Sequence, residues 1–100
     1  MNKLDPIADP SLLDPIEAWQ FDATRSAISR SFKFADFAQA FSFMTQIAIA
    51  AEKRDHHPEW FNVYNRVDIV LTTHDVKGLS KRDIDLAAYI DEAFAKFATP

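Results

Sequence analysis

Residues 28–53, ISRSFKFADFAQAFSFMTQIAIAAEK, change their hydrophobic period partway along. At the start, Ile28, Phe32 and Phe34 fall on one parity, with Arg30 intruding, and Ser29, Ser31 and Lys33 fall on the other. Alternation with period two marks a strand with one buried face. From Asp36 onward the apolar residues recur at three and four. At 100° per residue, Phe37, Phe41, Met44, Ile47, Ala48 and Ala51 cluster on one side. Phe43, Ala40 and Ala50 widen that side to roughly half the circumference. Ser42, Gln39 and Gln46 form the polar side, which Ile49 interrupts. The stretch therefore predicts a strand followed by a helix over 36–53. A helix apolar over so wide an arc is expected to have two neighbours: a sheet, and either the rest of one tight core or a second subunit.

The same reading extends outward. Upstream, WQFD (19–22) and ATRSAISRSFKF (23–34) read as extended. Residues 1–17 carry Pro6, Pro10 and Pro15, which forbid a long helix. They allow a turn or two with Asp9 as N-cap and Pro10 in the first helical position. Downstream, Pro58 enforces a break. WFNVYN (60–65) and RVDIVLTTH (66–74) read as two strands joined by a tight link at YNR. In the second, Val67, Ile69 and Leu71 face one way and Asp68, Val70, Thr72 and His74 the other. Gly78, the single glycine, is expected to supply a backbone turn that other residues resist. Ser80 then starts a second amphipathic helix over 80–98, with Asp83 placed for a capping box. Two hairpins, each followed by a helix, predict an α+β two-layer domain: a four-stranded antiparallel sheet with helices packed on one face. Residues 1–100 form one domain, whose first 17 residues the pattern does not determine.

Composition narrows the function classes. The chain has 100 residues, 48% of them hydrophobic and nine of them Phe, which is a core-building composition. It has no cysteine, so disulfide frameworks and thiolate zinc sites are excluded. A net charge of −4 with scattered basic residues argues against a nucleic-acid surface. No apolar run approaches the ~20 residues of a membrane span, and none suits a signal peptide. The expectation is a cytoplasmic protein.

All three histidines fall within EKRDHHPEWFNVYN (52–65) and LTTHD (71–75), as His56, His57 and His74. These are element ends, where a rigid scaffold lets side chains project. Glu52 lies one helical turn before His56, so the two are expected to share a face. Asp55 precedes the pair directly. Carboxylate-held imidazoles are suited to acid/base chemistry near neutrality. Singly, each of these residues reads as solvated or structural. Together, three imidazoles and two acids converge on one end of a plausible sheet. A metal site is the rival, but adjacent histidines diverge and the His-x-x-x-His spacing is absent, so no metal is expected. A serine hydrolase or a phosphate cradle is weaker still with one glycine in the chain.

Residues 51–90, AEKRDHHPEWFNVYNRVDIVLTTHDVKGLSKRDIDLAAYI, closely resemble the pterin-4a-carbinolamine dehydratase family, and FKFADFAQAFSFMTQIA (32–48) is similar to that family's first long helix. The resemblance covers roughly residues 19–97. It implies a dehydratase that removes water from 4a-hydroxytetrahydropterin, giving the quinonoid dihydropterin and recycling the cofactor of aromatic amino-acid hydroxylases. It implies His56, His57 and His74 as catalytic residues, with His56 or His74 protonating the departing hydroxyl and His57 orienting the pterin. Glu52 and Asp55 match supporting acids, and Asp83 a further acid near the pocket. Thr72 and Thr73 lie where backbone groups would meet the pterin edge, and Trp19 matches an aromatic of the pocket wall. No cofactor is implied, the pterin being substrate. A homodimer or homotetramer through the 36–53 helix is implied, with Phe43 on the assembling face; an aromatic amino-acid hydroxylase is the associated partner, and neither nucleic acid nor membrane is. The opening segment DPSLLDPIEAW departs from the family's clear first helix and Gly-Trp pair. The alternatives are a non-catalytic, helix-mediated dimerisation module and a pterin-binding regulator.

Overall fold

A computed structural model describes residues 2–97. Strands β1 (Gln20–Asp22), β2 (Ala27–Lys33), β3 (Glu59–Val63) and β4 (Arg66–Leu71) form one antiparallel sheet in the order β1-β2-β4-β3. Helices α1 (Phe37–Arg54) and α2 (Lys81–Ala95) cover one face, so the two-layer α+β expectation holds. Register follows the alternation: Ile28 pairs with Leu71 and Phe32 with Val67, all on the inner face. These four side chains are at most 1% exposed and meet Ala40, Phe43 and Ile47 of α1 and Leu86, Ile90 and Ala93 of α2 in one core. Phe43 sits at its centre, with ring centroids 5.1 Å from Phe32 and 5.0 Å from Phe34.

The helix ends are set by local chemistry. The Asp36 carboxylate accepts from Gln39 N–H at 2.8 Å and caps α1. At the other end Asp55 adopts the left-handed conformation (φ 50°), and its N–H bonds back to the Ala51 and Glu52 carbonyls. Ser80 and Asp83 form the expected capping box at the start of α2. The N-terminal segment holds a 3-10 helix, Pro10–Ile16, capped by Asp9 and carrying Pro10 at its start, which anchors Ile16 in the core. Farther upstream, Leu4 N–H donates to the Leu79 carbonyl at 2.7 Å.

Several expectations need correction. The inner side of α1 is centred on Ala40, Phe43, Ile47, Ala50 and Ala51, while Phe37 and Phe41 point outward, 48% and 56% exposed. The wheel found the breadth of the apolar arc but placed its buried centre too near Phe37. Phe43 is therefore core and not part of an assembling face. Strand β4 ends at Leu71, and His74 opens a short 3-10 turn, His74–Val76, instead of ending the strand. Gly78 has no positive φ; Lys77 takes the left-handed turn at φ 55°. A Cβ at 78 would crowd the end of the Lys3 side chain and lie 2.7 Å from Ser26 Oγ, so those two side chains would have to shift to admit it. Helix α2 ends at Ala95, and Ala98, the last residue of the expected helix, lies outside the described residues.

Candidate active site

The antiparallel register brings three segments to one end of the sheet. Strand β2 begins there, β4 ends there, and β3 begins there after leaving α1. The turn 55–59, the loop 72–75 and Arg82 line a cleft of about 340 Å³ at that end. All three histidines border it, as do Asp55, Thr72 and Thr73.

Each imidazole faces a carboxylate through Nε2, but the environments differ. His56, 7% exposed, lies 2.6 Å from Asp83 Oδ1, and Asp83 is fully buried. The other Asp83 oxygen accepts from Thr73 Oγ1 at 2.7 Å and from Ser80 N–H at 3.0 Å. Since the Thr73 hydroxyl proton goes to Asp83, the Ser80 hydroxyl donates to Thr73 across 2.7 Å. Among the described residues no buried side-chain N or O lacks a partner, so burial costs this network no unpaired group. His57 is exposed and pairs with Glu52 at 2.8 Å. His74 is 84% exposed, with Glu59 Oε2 at 3.8 Å. Glu59 in turn holds Arg25 at 2.6 Å.

Glu52 thus pairs with His57, not with His56 as the one-turn spacing implied. The left-handed residue Asp55 ends the helical rotation, turning His56 inward to α2 and returning His57 toward the helix flank. The Asp55 carbonyl accepts from the Arg82 guanidinium, which also bonds the Arg54 carbonyl at 3.1 Å. Asp83 joins the cluster through His56 as well as capping α2.

The two threonines stand differently at the cleft. Thr73 N–H bonds the Gly78 carbonyl and the Thr73 carbonyl accepts from Gly78 and Val76, so its backbone is committed to its own loop. Thr72 borders the cleft and its hydroxyl donates to the Ser26 carbonyl at 3.1 Å. Trp19 does not line the cleft. It is 4% exposed, packs edge-on against Phe32, and its indole N–H donates to Asp91 Oδ1 at 2.7 Å. The same oxygen binds Arg30 at 2.7 Å. Arg30 interrupts the apolar parity of β2, so Trp19 and Asp91 belong with accommodating that charge at the core's edge.

Nothing in the sequence marks Arg25, Glu59 and Arg82 as members of this cluster. Ser80 carried a signal as the N-cap three residues before Asp83; the others become partners only through tertiary contacts. A larger hollow, about 490 Å³, lies on the outer sheet face around Ser29, Ser31 and Asp68. It has no imidazole, and Ser31 already donates to Asp68 at 2.7 Å, so the smaller cleft is the candidate site. No group of three or more His, Asp or Glu among the described residues is arranged to hold a metal ion. Among those residues no helix is long and apolar enough to cross a membrane.

Comparisons with known proteins agree with this fold. Residues 3–93 match the family model described as pterin 4 alpha carbinolamine dehydratase. A Rhizorhabdus wittichii protein, provisionally named a pterin-4-alpha-carbinolamine dehydratase, is 55% identical over 91 residues, 88% of this chain and 94% of its own. A Burkholderia lata protein of the same provisional name is 53% identical over 95 residues, 95% of this chain and 93% of its own. The crystal structure of a transcriptional coactivator/pterin dehydratase from Brucella melitensis superposes with a TM-score of 0.87 at 47% identity, covering 93% of this chain and 99% of that one.

Proposed function

The chain belongs to the pterin-4a-carbinolamine dehydratase family, and from that premise we propose that it eliminates water from 4a-hydroxytetrahydropterin by acid/base catalysis without a metal. The observation that carries this reading is the cleft bordered by three imidazoles, each facing a carboxylate. The reaction needs little else. A protonated imidazole gives its proton to the C4a hydroxyl, the C4a–O bond breaks, and water leaves. A second group takes the proton from N5 as the C4a–N5 double bond forms, and the product is the quinonoid dihydropterin. Proton transfer by positioned groups contributes about 10²–10⁴-fold.

The environments support a division of labour different from the one the resemblance implied. His56 is buried and its Nε2 is engaged by Asp83, so it fixes the cleft wall. His57 and His74 are exposed at the cleft and are assigned the proton exchange. Glu52 orients His57, while Asp55 and Thr72 border the substrate. In this reading the product is returned by reduction to the cofactor pool of aromatic amino-acid hydroxylases.

Stopped-flow absorbance of freshly generated 4a-hydroxytetrahydropterin tests the reading. The protein is expected to accelerate dehydration, His57→Ala to lose at least about tenfold of that acceleration, and a chelator to change nothing. No acceleration by the folded parent overturns the enzyme reading; acceleration abolished by chelator restores a metal site.

The exposed stripe of Phe37 and Phe41, with ring centroids 5.8 Å apart, supports self-association through α1 as a homodimer or homotetramer. The same stripe would serve a non-catalytic interaction module or a pterin-binding regulator, which the kinetic assay separates from the enzyme.

A further inference from the structure

We propose that Glu59 is a positioning residue for His74 and that Arg25 holds Glu59 in that role. The catalytic consequence rests on the dehydratase reading above; the geometry does not.

Glu59 is the first residue of β3 and pairs with Val70, so its backbone is fixed in the ladder at the cleft end of the sheet. One carboxylate oxygen lies 2.6 Å from Arg25 Nη2, and the other lies 3.8 Å from His74 Nε2. The backbone that carries Arg25 is itself held. Its own N–H donates to Asp22 Oδ1 at 3.2 Å, and the next residue, Ser26, accepts through its carbonyl from Thr72 two residues before His74. The β1–β2 turn, the start of β3 and the His74 loop are therefore tied together around one carboxylate.

His74 needs such a partner. At 84% side-chain exposure, no packing orients its ring. His56 and His57 each have a carboxylate within hydrogen-bond distance of Nε2. A separation of 3.8 Å is an ion-pair approach and not a hydrogen bond. Glu59 therefore orients the ring electrostatically, turning Nε2 toward itself and leaving Nδ1 to exchange the proton with the ligand. An exposed pair of this kind adds little to stability. Its effect belongs to the reaction, where placement of the acid or base governs the rate.

The test uses Glu59→Gln, Arg25→Gln and the double variant, with dehydration kinetics and NMR of the His74 ring. Glu59→Gln is expected to lower kcat about tenfold with KM within about twofold. Arg25→Gln should lower kcat less, and the double variant should match Glu59→Gln, because Arg25 acts through Glu59. Three-bond couplings should show one His74 χ1 rotamer in the parent and rotamer averaging in Glu59→Gln, with His56 and His57 unchanged. An ordinary surface ion pair would leave kcat and the His74 rotamers as they are in the parent. Unchanged kcat in Glu59→Gln beside an active parent overturns the proposal and leaves the dehydratase reading standing. If the parent itself is inactive, that reading fails, and an unaltered His74 ring overturns the positioning role independently.

Discussion

His56 and His57 are sequence neighbours with opposite fates. One is locked against a buried carboxylate and the other stands in solvent. The cause is one residue upstream, where Asp55 takes a positive φ and ends α1. Sequence spacing gives the pair and its acids but not this turn, because aspartate enters the left-handed region only occasionally and nothing in the letters marks when it does. The spacing puts Glu52 on the face of His56, whereas the fold pairs it with His57, and Asp83 holds His56 as well as capping α2. Its network gives a clear expectation. Asp83→Ala leaves His56, Thr73 and Ser80 without their common acceptor, and urea unfolding should show a loss of about 3 kcal/mol.

At the scale of the element, α1 shows what a helical wheel can and cannot say. The count of apolar positions reveals that the helix has more apolar surface than one sheet covers. It does not reveal which flank the sheet takes, since the outcome depends on the volumes of Phe32, Phe34, Phe94 and Phe97 around Phe43. Phe43→Ala should cost about 4 kcal/mol in a denaturant titration, the range for deleting a buried aromatic ring. β4 teaches a related lesson. Thr72 and His74 continue its alternation, yet Thr73 bonds to Gly78 across a closed loop and removes both from the strand. Alternation can continue after the ladder has ended.

Across the whole molecule, the layer arrangement was legible because the period changes are long and strong. The convergence of the loops was legible only in outline: antiparallel hairpins put alternate connections at one end of a sheet, but the partners Arg25, Glu59 and Arg82 come from segments distant in sequence. The uncovered stripe on α1 carries a prediction at this scale. If a second copy covers it, the melting temperature should rise with protein concentration, because association stabilises the folded state by mass action. Phe41→Glu should abolish that dependence while the variant melts cooperatively as a monomer. A parent whose melting ignores concentration, and which sediments as a monomer, would remove the assembly reading.

The bond from Leu4 N–H to the Leu79 carbonyl, with Lys3 lying over Gly78, ties the far end of the loop that follows His74 to a segment remote in sequence. Closing so long a span costs chain entropy and returns little until both ends are in place. This contact is therefore expected to form late in folding, after the hairpins and helices that it joins.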